Sequence, residues 1–103
     1  MNNHRLELHE KLCEILGNRN VFFQPPETLK IPNRAIIYRM SDMDQKRANN
    51  KLYSKTNRYQ ILFCTPNPDE TVYDDILEEF EMSTLERSYR YENLNYYSIS
   101  LFY

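Results

Sequence analysis

The chain has 103 residues, a net charge of −2, two cysteines and a single glycine, Gly17. That length fits one domain and lets roughly 60 to 65% of the unfolded surface be buried, enough for one sheet and a helix or two. One glycine excludes a glycine-rich phosphate loop, and no apolar run approaches the ~20 residues of a membrane span.

The opening "MNNHRLELHEKL" is charged and amphipathic, which suits a folded helix better than an export signal. Asn2 or Asn3 is placed to cap it, and Leu8, Leu12, Ile15 and Leu16 form its apolar stripe. Gly17 stands where a C-terminal cap belongs. "NVFFQ" reads as a short strand stopped by Pro25 and Pro26. "AIIYRM" (35–40) is β-branched and apolar, a stronger strand. "SDMDQKRANN" has no periodicity and reads as a polar loop. The second half of "KLYSKTNRYQILFCT" (51–65) is a strand with Tyr59, Ile61 and Phe63 on one face and Gln60, Leu62 and Cys64 on the other.

After "PNPD", Asp69 is the expected N-cap of a second helix. Its apolar stripe is Val72, Ile76 and Phe80, with Leu77 beside it. "LERSYRY" and "NYYSISLFY" alternate as the two strands of a hairpin, turning between Glu92 and Asn95. Tyr97, Ile99, Leu101 and Tyr103 share a face of the last strand, whose end is expected to be tied into the sheet. The order α-β-β-β-α-β-β lacks regular βαβ alternation. It predicts an α+β domain over residues 1–103: an antiparallel or mixed sheet with two helices packed on one face.

Candidate chemistry is sparse. Cys64 ends an apolar strand, and the only histidines, His4 and His9, lie on the first helix, so a packed thiol is the expected role. Cys13 and Cys64 lack CxxC spacing, which makes a disulfide framework unexpected and a reducing compartment the default. His9 and Cys13 at i, i+4 would need two more ligands to close a zinc site, and His9 is expected at the surface. No catalytic, metal or cofactor site is assigned, and the chain is not read as an enzyme.

Charge is the stronger signal. Six basic residues against two acids occupy 39–58, and seven acids with no basic residue occupy 69–81. Acids at the end of a helix oppose its dipole, and like charges at i, i+4 cost a few tenths of a kcal/mol each. The stripe Asp74, Glu78, Glu81 is therefore expected either to be a solvated face or to meet a basic surface. Lys46, Arg47, Lys51, Lys55 and Arg58 of a neighbouring copy are the expected partners, in a head-to-tail contact that closes a ring. Nucleic-acid binding by the basic segment is weakened by Asp42 and Asp44 and by the acidic whole.

Three runs carry a resemblance that spans nearly the whole chain. They are "LHEKLCEILGNRNVFFQPPETLKIPNRAIIYRMSD", "RYQILFCTPNPDETVYDDI" and "RSYRYENLNYYSISLFY". In this order they resemble the small tail-terminator, or head–tail joining, proteins of siphovirus-type tailed bacteriophages. The resemblance implies a structural virion protein, assembled in the bacterial cytoplasm, that forms a ring, typically hexameric. Such a ring caps the tail tube, docks the neck or head-completion protein, and passes DNA through its lumen without reading it. It implies no catalytic residue, no cofactor and no membrane. The alternatives are a neck or connector protein of the same assembly, or a small regulatory nucleic-acid-binding domain.

Overall fold

The computed structural model describes residues 4–42 and 58–103. The elements are helix α1 (His4–Leu16), strands β1 (Val21–Phe23), β2 (Ala35–Asp42) and β3 (Arg58–Thr65), helix α2 (Val72–Glu79), and strands β4 (Ser83–Tyr91) and β5 (Leu94–Phe102). They form the expected α+β order. The five strands make one mixed sheet in the order β1-β2-β3-β5-β4. Only β1 and β2 run parallel; every other neighbouring pair is antiparallel. The connection, residues 24–34, returns the chain to the same end of the sheet, which a parallel pair requires.

The core is set by period-2 strands facing two helical stripes. On β2, Ile36 and Tyr38 are register partners of Phe63 and Ile61 on β3, and Ile61 and Tyr59 are partners of Ile99 and Leu101 on β5. All seven are buried. Leu8, Leu12 and Leu16 of α1, with Val72, Ile76 and Phe80 beside them, close the core from one side of the sheet. Gly17 adopts φ +89°, and its N–H donates to the Cys13 carbonyl at 2.8 Å, ending α1 as a left-handed cap. The expected capping by Asn2 or Asn3 falls outside the described residues, as does most of the 41–50 loop; β2 itself continues through Asp42.

Two local expectations are corrected. Asp69 does not cap α2. The helix starts at Val72 with Thr71 in the cap position and no side-chain capping bond. Residues 67–70 instead form a turn, in which Asp69 N–H donates to Asn67 Oδ1 and Glu70 N–H to the Asn67 carbonyl. The helix also ends at Glu79, with Phe80 extended at φ −110°, so Glu81 lies beyond it. Phe80 is the buried, extended residue that follows the helix, its ring edge-to-face with Tyr103, and the helix ends two residues before Glu81. At the hairpin, the turn is only two residues, Glu92 and Asn93, both at positive φ (+49° and +68°). These signs belong to the type of turn whose twist matches paired strands.

Candidate functional site

Neither cysteine is placed for chemistry. Cys64 is 4% exposed, and its Sγ donates to the Ala35 carbonyl on the neighbouring strand at 3.6 Å. Burial pushes this thiol up from its ordinary range, the opposite of what a nucleophile needs. Cys13 is buried in the core cluster, and its thiol is also pushed up, chiefly by burial. His9 departs from the expectation of a surface residue: it is half-buried, and its Nδ1 lies 2.8 Å from the Tyr38 hydroxyl. Burial, then Arg5 and Arg19, hold the imidazole below its ordinary value against a smaller opposing effect of Glu10. Arg5 stacks on Phe23 and reaches the same hydroxyl, so this cluster packs α1 against β1 and β2. Among the described residues, no three His, Cys, Asp or Glu side chains come together as metal ligands.

The acidic surface is where charge stays unpaired among the described residues. Asp74, Asp75 and Glu78 project from the outer side of α2, and Glu81 follows its end; all are exposed. None of the four has an ion pair among the described residues. Glu79 does: Lys11 of α1 reaches it at 3.4 Å and relieves one acid at the unfavourable end of the helix. Glu70 is a different case from its neighbours in sequence. Arg34 grips it with two bonds, Nε to Oε1 at 2.9 Å and Nη2 to Oε2 at 3.2 Å. The remaining Arg34 nitrogen, Nη1, donates to the last carbonyl of α1, Leu16, at 3.1 Å. Thr65 Oγ1 adds a bond to Glu70, whose carboxyl is held below its ordinary value first by Arg34. This clasp joins the end of α1, the start of β2, the end of β3 and the approach to α2. Sequence reasoning missed it because the two partners are 36 residues apart and belong to no motif.

Of the expected basic partners, Lys46, Arg47, Lys51 and Lys55 lie outside the described residues. Arg58 is on β3, and its side chain is already engaged within the chain. It donates to Ser100 Oγ at 3.1 Å and reaches Glu86 at 3.4 Å. Glu86 also accepts from Gln60 Nε2 at 2.9 Å, and Gln60 in turn donates to Ser98 Oγ at 2.8 Å. These polar residues occupy the sheet face away from the helices. Arg58 and the α2 acids therefore sit on opposite sides of one copy, where a pairing between them has to be made across copies.

That open face carries a second feature. Ile37 and Leu62 are register partners, and beside them Arg39 faces Gln60. With Gln24, Pro25, Met40 and Ser98 they line a groove of about 650 Å³. At the other end of the sheet, β4 is exposed along its outer half, and the hairpin tip presents Tyr89 and Tyr91, 40% and 62% exposed. Tyr89 stacks on Tyr96 and has the Arg87 guanidinium over its ring, whereas Tyr91 stands at the end of the strand. No protein family, curated protein or solved structure matches this chain.

Proposed function

We propose that this protein is a structural component of a tailed-bacteriophage virion, a tail terminator whose copies close into a ring. The ring caps the tail tube and offers the surface on which the neck docks. The reading begins from the sequence resemblance. The observation that carries it furthest is the exposed acid set Asp74, Asp75, Glu78 and Glu81, which folding leaves without a cation among the described residues. Such a cluster costs stability in an isolated copy and is relieved when a basic surface of another molecule covers it. The α+β fold supports the same reading, because among the described residues both helices pack on one face and no element covers the other sheet face.

In this role the protein acts by geometry. A contact that pairs one surface with a different surface of the next copy repeats around an axis and closes when the rotation fits. Light scattering with negative-stain imaging of the purified protein tests the proposal. Closed rings, or particles stacked on the ends of tail tubes, are the expected result. A stable monomer that retards DNA would overturn it in favour of a nucleic-acid-binding domain.

A further inference from the structure

We infer that the β4–β5 hairpin tip of one copy inserts into the sheet-face groove of the next, with Tyr91 on the Ile37–Leu62 floor and Glu92 against Arg39. The inference rests on the ring reading and names a contact within it that the sequence did not indicate.

The groove has the form of a receptor for a side chain. Its floor is two apolar residues from adjacent strands, its rim is Arg39, Gln60 and Ser98, and its volume of about 650 Å³ falls within the roughly 300–1,000 Å³ of sites that hold small ligands. Arg39 is exposed and forms no ion pair among the described residues. Gln60 spends its amide nitrogen on Ser98 and Glu86, which leaves its Oε1 able to accept from an incoming hydroxyl. The tip is complementary in shape and charge. Tyr91 is the most exposed of the large hydrophobic side chains among the described residues, and tyrosine is among the residues enriched at the energetic centres of interfaces. Glu92 beside it is exposed, forms no ion pair among the described residues, and is held at φ +49°, a backbone state in which Asn or Gly would be cheaper.

Topology says that the occupant is a second copy. The tip pairs at the level of Asn95 with Thr65, the last residue of β3, whereas the groove is built around Gln60. Five strand residues separate them, about 17 Å at ~3.3 Å each. They also lie toward opposite edges of the sheet, the groove at β2 and β3 and the tip at β4 and β5. A tip cannot bend back into its own groove. Placed diagonally on one face, the two halves make a head-to-tail contact, which is the kind that builds rings.

A charge exchange tests the contact. The readout is the protein concentration at which half the copies are assembled, measured by mass photometry, with circular dichroism confirming that each variant is folded. Arg39→Glu and Glu92→Lys should each raise that concentration about tenfold, as should Tyr91→Ala. The double variant Arg39→Glu/Glu92→Lys should return it to near the wild-type value, since the pair is restored with its signs reversed. Mixing Tyr91→Ala with Arg39→Glu should give pairs in which one contact is intact. Wild-type rings that persist unchanged in all three single variants would overturn the inference while leaving the ring proposal standing; the groove would then be filled from within its own chain or by another protein. A wild type that never assembles would overturn both.

Discussion

At the scale of single residues, the side chain that organises most of the molecule is Arg34. Its three nitrogens serve two acceptors, the Glu70 carboxylate and the Leu16 carbonyl, and so it ties α1 to the turn that leads into α2. Glu70 is only 14% exposed, while Arg34 keeps 35% of its side chain in contact with water. Replacing Glu70→Ala is expected to cost roughly 1–2 kcal/mol, toward the lower end of what losing a charged hydrogen-bond partner costs because solvent screens Arg34. The sign of the pH effect follows from the direction of the shift. A carboxyl held below its ordinary value in the fold binds its proton less readily folded than unfolded. Its stabilisation is complete above the unfolded value near ~4.3 and is lost as pH falls through the folded value. Urea unfolding of the parent and of Glu70→Ala at pH 7 and at progressively lower pH measures this. The gap between the two should be largest at neutral pH and should narrow in acid.

At the scale of elements, α2 and the β4–β5 hairpin show how tertiary packing edits local preference. Asp69 is as good a capping residue as any in the chain, yet α2 begins three residues later. Glu70 is drawn away to Arg34 and Thr65, and the backbone of 67–70 is committed to a turn. At the far end, Phe80 is extended rather than helical and packs edge-to-face with Tyr103. The stripe Val72, Ile76, Phe80 was legible in the sequence because apolar spacing reports which side chains are buried, and it reports less well where the backbone stops. The hairpin was likewise legible in its alternation, and its turn type was not, because Glu92 gives no sign of a positive φ. A residue other than glycine in that region costs about 1 kcal/mol, and Asn costs less than Glu. Glu92→Asn is therefore expected to raise stability by up to about 1 kcal/mol in thermal or urea unfolding of the unassembled chain. An unchanged or lower stability would mean that Glu92 makes a compensating contact in the free protein.

At the scale of the whole molecule, the sheet divides the protein into two unlike sides. One holds α1 and α2, with the exposed acids of α2; the other holds the Arg58–Glu86–Gln60–Ser98 network and the groove. The two contacts proposed between copies use this division, one through charge and one through the hairpin tip. In the proposed ring, reversing Glu78 and Glu81 to Lys should weaken assembly and flatten its dependence on salt, because the contact loses the attraction that salt screens. Sedimentation of the double variant beside the parent at low and high ionic strength checks this. Rings of unaltered strength and unaltered salt dependence would show that the acidic surface lies outside the subunit contact.

From the sequence alone came the order of elements, the helical stripes, the faces of β3 and β5, and the segregation of charge. These are properties of spacing along the chain, and spacing survives in one dimension. Tertiary structure alone decided that β1 runs parallel to β2, that Arg34 meets Glu70, and that His9 meets Tyr38. It also decided that a groove opens beside Arg39 on the face opposite the helices. Each of these brings together residues far apart in sequence whose types carry no mark of the meeting. Their positions follow from how the strands are ordered in the sheet, and strand order is fixed by the packing of the whole domain.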